Sequence, residues 1–294
     1  MPYPETDAAM QERVAVFRQE LRKFGWRTGE NLRFDERWTT DNMERIRAAV
    51  AELVASMPDV ILAVGGRVVP IVHEQTRSIP VVFLGTSDPV WRGLVASLAR
   101  PGGNITGFAL SEIPNVQKLL DILKEVAPHV RRVALLYNPD NPVTPQNIQV
   151  FNEVAASLGF EPVLAPVRQP TDIERAIEAH AQGPNGGLVL PSDLTLLAQR
   201  DLIVTAAARH RLPAVYADRA IVAVGGLISY SADRKDQFLR SAEYVNRILR
   251  GQNPAELPVQ RPTKYELVIN LATARSLGLE VPPALLAQAD EVIE

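Results

Sequence analysis

Hydrophobic positions in this chain follow two alternating patterns. In residues 8–24 the apolar side chains are spaced by three and four, which predicts an amphipathic helix with one buried stripe. A second helix is predicted up to Pro58, and the partly alternating residues 31–38 predict a strand between the two helices. The short runs Asp59–Val64, apolar after its first residue, and Ile79–Leu84 are typical of parallel strands that are covered on both faces. Together these patterns predict an α/β fold with doubly wound parallel sheets.

The same alternation starts again in the second half of the chain. Arg100–Gly107 is the densest cluster of turn-forming residues, and we predict a boundary between two lobes there. Helices and buried strands then alternate as far as Tyr216, which predicts a second α/β unit. After Gly251 the chain is punctuated by prolines, a composition that favours connections running back across a two-lobed body.

Composition and motifs exclude several classes of function. The 294 residues are 46% hydrophobic and carry a formal net charge of -3 without a basic face, so nucleic acid is not an expected partner. The absence of cysteine excludes disulfides, thiolate metal sites and cysteine nucleophiles. The four histidines have no metal-ligand spacing, and the chain contains no nucleophile elbow. We therefore predict no enzyme activity, no metal and no cofactor.

Candidate ligand contacts follow the predicted strands. Open α/β sheets bind ligands beyond the carboxyl ends of their strands. The residues predicted at those ends are aromatic, small and polar, or charged, a set suited to a compact polar solute. They are Tyr3, Trp38, Gly65, Gly66, Arg67, Thr86, Ser87, Asp88, Tyr137, Asn138, Asp193, Tyr216 and Asp218.

Several of these residues have a structural interpretation beside the functional one. Gly65 and Gly66 end a strand and open a helix, where free N–H groups favour a carboxylate, yet a tight turn would require the same glycines. The pair does not match the G-x-G-x-x-G fingerprint or a P-loop, so a nucleotide is not predicted. Asp88 and Asp193 can serve either as ligand contacts or as helix caps. The aromatic residues can form a ligand wall or fill the core.

Particular segments carry a family likeness. They are Gly25–Leu32, Ser87–Val90, Gly93–Gly107, Ala134–Pro139, Gly225–Tyr230, Pro262–Leu271, and Pro282–Leu286 together with Ala289–Ile293. These segments resemble the substrate-binding proteins of ABC transporters, in the branch that includes tryptophan- and tyrosine-binding members. The run A-R-P-G-G-N-I-T-G is the most specific part of the resemblance, which extends over nearly the whole chain.

The resemblance implies a type I periplasmic-binding-protein fold, in which two Rossmann-like lobes are joined by hinge crossings and close on one ligand. We expect residues 1–108 with about 230–255 in the N-terminal lobe, and residues 109–229 with about 256–294 in the C-terminal lobe. The implied function is that of the substrate-binding component of an ABC importer. Its expected ligand is an amino acid or an aromatic or carboxylate compound, held in the cleft between the lobes, and its partners are a membrane permease and an ATPase.

Two departures from the family keep alternatives open. Relatives carry an export signal and a first β-strand before the segment that matches Met1–Pro4, and neither is visible here. We expect the full-length form to be periplasmic or on the cell surface; the alternative is a cytoplasmic small-molecule sensor or regulator core with the same fold. A flavodoxin-like enzyme is a third hypothesis. At Gly65-Gly66-Arg67 relatives more often have a small residue, then threonine, then proline, and Arg67 favours a more acidic solute.

Overall fold

The computed structural model describes residues 1, 4–39, 42–110, 113–141 and 144–294. These residues form two compact units, each assembled from separate parts of the chain. The first comprises Met1–Ser111 and Asp233–Lys264, and the second comprises Glu112–Ala232 and Tyr265–Glu294. Each unit has its own sheet of mainly parallel strands with helices packed on it, which confirms the α/β fold class. Within the described ranges, no helix is both long enough and apolar enough to cross a membrane.

The first unit is built on a three-stranded parallel sheet in the order β1-β2-β3. The strands are β1 (Ile61–Val64), β2 (Val81–Ser87) and β3 (Ile105–Leu110). The helices are α1 (Ala8–Lys23), α2 (Met43–Ala55), α3 (Val68–Gln75) and α10 (Arg234–Leu249), and a 3-10 turn spans Pro254–Glu256. The apolar side chains of β2 are buried on both faces of the sheet, as the unbroken apolar run predicts.

Helix α1 follows the predicted stripe. The Asp7 side chain caps the helix by accepting a hydrogen bond from the Met10 amide. Met10, Val14, Phe17 and Leu21 are buried, and the helix packs along α10. The spacing of apolar residues was therefore sufficient to locate this helix and the face that it buries.

The strand predicted at residues 31–38 is wrong. Leu32 forms an isolated bridge with Thr28, and residues 33–39 form no regular strand. Residues 33–37 and strand β1 line the same cavity of about 180 Å³, yet β1 pairs with β2 alone among the described strands. A strand requires a hydrogen-bonded neighbour along its length, and among the described residues this segment has only the Thr28–Leu32 bridge at one end and Met1 at the other.

The second unit contains a seven-stranded sheet in the order β10-β9-β8-β7-β6-β4-β5. The strands are β4 (Arg132–Tyr137), β5 (Glu161–Pro166), β6 (Gly186–Leu190), β7 (Ala214–Tyr216), β8 (Ile228–Ala232), β9 (Tyr265–Asn270) and β10 (Glu291–Ile293). The helices are α4 (Ile113–Val126), α5 (Thr144–Ser157), α6 (Pro170–Ala181), α7 (Leu194–Ala198), α8 (Arg200–Arg209), α9 (Arg219–Val222), α11 (Leu271–Leu277) and α12 (Pro283–Leu286). Strands β4 to β8 are parallel, and β9 runs antiparallel to β8.

The carboxyl-terminal tail differs from the sequence prediction in two ways. It supplies two strands, β9 and β10, to the second sheet rather than connections alone. Residues 256–264, expected in the second lobe, belong to the first unit. The reason is a set of backbone hydrogen bonds: Val259 N donates to Leu98 O, and Gln260 N donates to Gly107 O.

Candidate ligand-binding site

The parallel strands of each unit end at one edge of its sheet, and the loops beyond that edge carry most of the candidate residues. In the first unit, β1 ends at Val64 and the chain turns through Gly65, which has a φ of 97°. Gly65 O accepts hydrogen bonds from Val68 N and Val69 N, so the turn leads directly into α3. Arg67 occupies the N-cap of α3 without a side-chain capping bond. This turn presents a positive helix terminus at the carboxyl edge.

Arg92, which the sequence analysis did not select, lies over this turn. Its Nη1 donates to Gly66 O at 3.2 Å. Its Nε is buried and has no hydrogen-bond partner in the described part of the chain. A buried guanidinium N–H without a partner is costly, and a ligand carboxylate is a suitable acceptor for it. The sequence signal was a cation in the loop that follows β2, between two segments that resemble the family.

The end of β2 brings further polar groups to the same edge. The Thr86 side chain is fully buried, and its hydroxyl has no partner among the described residues. Ser87 is half-buried. Asp88 is exposed and has a φ of 36°, and its carboxylate accepts a hydrogen bond from Trp91 N. The segment after Asp88 is a turn, so the prediction that this residue caps a helix is wrong.

The predicted aromatic residues of the first unit do not form a described wall. Tyr3 lies outside the described residues. Trp38 is half-buried against the apolar cluster formed by α1, α10 and neighbouring residues. Because the strand predicted at residues 31–38 is absent, Trp38 does not stand at a strand end, and the reason for selecting it is removed.

In the second unit, Asp193 follows β6 and is held by three hydrogen bonds. Its Oδ1 accepts from Thr195 N at 2.8 Å and from Leu196 N at 3.1 Å, which makes it the N-cap of α7. Its Oδ2 accepts from Asn141 Nδ2 at 2.8 Å. The capping interpretation of Asp193 is therefore confirmed.

Asn138 belongs to the same cluster, directly after β4. Its side-chain amide donates to Thr195 Oγ1 at 3.2 Å, and its backbone carbonyl accepts from Thr144 Oγ1 at 2.6 Å. Tyr137, the last residue of β4, is half-buried against the core of this unit. The structure thus brings the ends of β4 and β6 together, as expected for two parallel strands that pair with each other.

Of the two candidate residues at the end of β7, one caps a helix and the other belongs to the core. Asp218 is 8% exposed and caps α9 by accepting from Ala220 N at 3.0 Å. Tyr216 is 1% exposed and lies in the core between β7 and its neighbours, and this burial raises the pKa of its hydroxyl. The prediction that Tyr216 forms part of a ligand wall is wrong, because its side chain faces the interior.

Two tyrosines that the sequence analysis did not select stack on each other in the second unit, with a lysine beside them. The rings of Tyr230 and Tyr265 are stacked, with centroids 5.2 Å apart and planes 3° from parallel. Lys118 Nζ lies 6.0 Å from the centre of the Tyr230 ring. Burial, followed by the effects of Tyr265 and Asp290, raises the pKa of Tyr230. The pair depends on the antiparallel pairing of β8 with β9, which the sequence pattern did not reveal.

The described residues contain no group of three His, Asp or Glu side chains that could hold a metal ion. In the second unit the Asp193 and Asp218 carboxylates accept hydrogen bonds from helix amides, and Asp193 also accepts one from Asn141; in the first unit the Asp88 carboxylate accepts one from a turn amide. The arrangement can bind a small molecule through charge and hydrogen bonds.

Comparison with known proteins identifies relatives across most of the chain. The tyrosine-binding protein of Clostridioides difficile (strain R20291) is 22% identical over 264 residues, which cover 90% of this chain and 76% of that protein. A conserved domain protein of Vibrio cholerae is 28% identical with a TM-score of 0.85, and the match covers 96% of this chain and 95% of that one.

A further solved structure, the ABC domain from Streptococcus pneumonia in complex with L-Trp, has a TM-score of 0.89 at 22% identity. That match covers 99% of this chain and 97% of that chain and shows a common fold, confirming the type I periplasmic-binding-protein architecture. The family model for ABC transporter substrate binding proteins matches residues 5–293. The chain therefore belongs to the ABC transporter substrate binding protein family.

Proposed function

We propose that this protein is the solute receptor of an ABC importer and that its solute is an amino acid or another small aromatic or carboxylate compound. The observation that carries the proposal is Arg92, whose buried Nε has no acceptor among the described residues and which lies beside the turn that opens α3. A carboxylate bound there would satisfy this donor and would lie near the positive end of the helix. The Thr86 hydroxyl, buried and without a described partner, adds a second group at the end of the neighbouring strand.

The second unit, taken by itself, also carries groups that suit a ligand of this class. Asp193 and Asp218 keep negative charge at the carboxyl edge of its sheet, a position suited to a ligand ammonium. The stacked Tyr230 and Tyr265 rings are suited to contact an aromatic side chain. The tyrosine-binding relative and the relative in complex with L-Trp support this ligand class.

The proposed partners are a membrane permease and its ATPase, and the proposed location is the periplasm or the cell surface. A solute receptor transfers its ligand unchanged, so we propose no catalysis. Ligand binding would favour the conformation of the receptor in which the protein makes more contacts with the ligand.

A thermal-shift panel of the common amino acids and aromatic acids tests this proposal. A ligand that binds the folded state alone raises the melting temperature in a concentration-dependent manner. We expect at least one compound of the panel to do so, and Arg92→Ala to reduce the shift at the same ligand concentration. If no compound of either class stabilises the protein, the proposed ligand class is wrong. Steady chemical conversion of a stabilising compound would indicate an enzyme.

A further inference from the structure

The buried stripe of helix α4 begins with an amide side chain. Leu119, Ile122 and Val126 recur at the helical period and are at most 1% exposed. Asn115 lies one turn before Leu119 on the same stripe and is 9% exposed. Its Oδ1 is buried and accepts no hydrogen bond from any described residue. Buried side-chain oxygens are nearly always paired in native proteins, so this acceptor is a candidate for binding a donor on a small molecule.

Asn115 stands at the carboxyl edge of the second sheet, because α4 runs antiparallel to the strands on which it packs. Towards the end of α4, Leu123 lies at the start of β6, since a Cβ on Gly187 would be 3.2 Å from Leu123 Cδ2. Towards the beginning of α4, Lys118 Nζ lies 6.0 Å from the centre of the Tyr230 ring, near the end of β8. Asn115 is a further three residues towards the beginning of the helix, or about 4.5 Å along its axis.

The stacked tyrosines lie on the face of the sheet that α4 covers. Tyr230 packs against the core cluster that contains the buried side chains of α4. Tyr265 lies on the same face, because it pairs with Ala232, two residues after Tyr230 on β8. Both rings are half-buried, and an aromatic side chain of a ligand can pack on their accessible surface.

The charge of Lys118 decides which kind of donor suits Asn115. Residues three apart lie on the same side of a helix, so the Lys118 ammonium disfavours a second ammonium beside Asn115 Oδ1. The ligand ammonium is better served by the carboxylates of Asp193 and Asp218. A neutral O–H or N–H group on an aromatic ring avoids this repulsion and can pack on Tyr230 at the same time.

We propose that Asn115 Oδ1 accepts a hydrogen bond from a neutral donor on the aromatic side chain of the solute, such as a phenolic O–H or an indole N–H. The receptor thereby selects rings that carry such a donor over a plain phenyl ring, because a ring without the donor leaves Asn115 Oδ1 unpaired. This inference rests on the proposed function and adds a residue that determines specificity.

Titration calorimetry with matched pairs of compounds tests this role. L-tyrosine is compared with L-phenylalanine, 4-hydroxyphenylacetate with phenylacetate, and L-tryptophan with 1-methyltryptophan, the second member of each pair lacking the donor. For the natural sequence, we expect the first member of at least one pair to bind at least about tenfold more tightly than the second. In Asn115→Leu, which removes the acceptor, this ratio should fall below about threefold.

Three further variants control for effects on structure. Asn115→Ala repeats the test with a smaller side chain. Asn115→Asp keeps an acceptor oxygen and should therefore keep the preference. Gln117→Leu makes the same kind of change at an exposed position in the same turn of α4 and should bind as the natural sequence does.

The possible failures of the two proposals are distinguishable. Equal affinities within every pair, or a preference that survives both Asn115→Leu and Asn115→Ala, would overturn the role of Asn115 and leave the proposed function intact. The same conclusion follows if none of the six compounds binds while another amino acid stabilises the protein in the thermal-shift panel. If no compound of that panel binds, the proposed function fails, and the role of Asn115 fails with it.

Discussion

Asn141 Nδ2 donates a hydrogen bond of 2.8 Å to Asp193 Oδ2, while Asp193 Oδ1 accepts from the first amides of α7. Both carboxylate oxygens are thus engaged by the protein itself. Asp193 remains half-buried at the carboxyl edge of the second sheet, where its second lone pairs and its charge are available to a ligand ammonium. The observed capping and the proposed ligand binding are therefore separable by mutation.

Asp193→Asn separates these roles. Asparagine is as good an N-cap as aspartate but cannot accept from Asn141 while its oxygen caps the helix, so the melting temperature should fall less than in Asp193→Ala. The affinity for an amino acid identified in the thermal-shift panel should fall by about 1.5–3 kcal/mol, the contribution of a charged hydrogen bond. Isothermal titration calorimetry measures the difference. Asp193→Ala is the control, because it should lose both affinity and about 1 kcal/mol of stability. Unchanged affinity in Asp193→Asn would leave Asp193 with a capping role alone.

Arg92→Ala should weaken binding of a carboxylate ligand. The guanidinium has a buried Nε without a described partner, and the variant removes the proposed donor. We expect a loss of about 1.5–3 kcal/mol in affinity, measured by titration calorimetry with the same amino acid. The matched control is Arg100→Ala, an exposed arginine of the same unit, which should bind normally. Equal affinities for the two variants would exclude Arg92 from the site.

Gly107 should be intolerant of any side chain. Its φ is 152°, and a Cβ would lie 2.1 Å from Phe83 O on the adjacent strand. Gly107→Ala must therefore push β2 and β3 apart, at a cost of more than about 3 kcal/mol in the free energy of unfolding. Gly103→Ala is the control in the same segment, because a Cβ there would meet no atom within 4 Å. Urea unfolding of both variants tests this prediction, and similar midpoints would contradict it.

His180 should make stability depend on pH. The side chain is 3% exposed, and burial, assisted by the charge of Arg132, lowers its pKa below the ordinary value of 6.5. The unfolded chain then binds a proton more readily than the folded protein, so stability falls as the pH drops below about 6.5. The decrease in melting temperature between pH 7 and pH 5 should be smaller in His180→Leu than in the natural sequence. If the melting temperatures of the two proteins fall by the same amount between pH 7 and pH 5, His180 does not contribute to the pH dependence of stability.

The sequence predicted the elements that depend on local pattern. The stripe of α1 and the apolar run of β2 appear as expected, because burial on one helical face or on both faces of a strand imposes a period that can be counted. The candidates at the ends of β4 and β6 also come together, because these strands are parallel neighbours. Asp193 and Asn138 were found in this way.

The errors concern properties that depend on neighbours in space. Tyr216 ends strand β7, as predicted. The face of the sheet on which its side chain lies, however, depends on the register of β7 with β6 and β8. Tyr230 and Tyr265 meet through an antiparallel pairing of residues distant in sequence. Arg92 reaches Gly66 from another loop. Residues 31–38 have the composition of a strand, but no described strand pairs with them. None of these relationships can be inferred from the spacing of apolar residues within a single helix or strand.

Isothermal titration calorimetry of the purified protein against individual amino acids and aromatic carboxylates tests the central claim most directly. We predict that at least one of these compounds binds with saturable heat at one molecule per chain and is recovered chemically unchanged. The absence of binding by every member of both classes, or recovery of a converted product, would contradict the account of this protein as a receptor for such solutes.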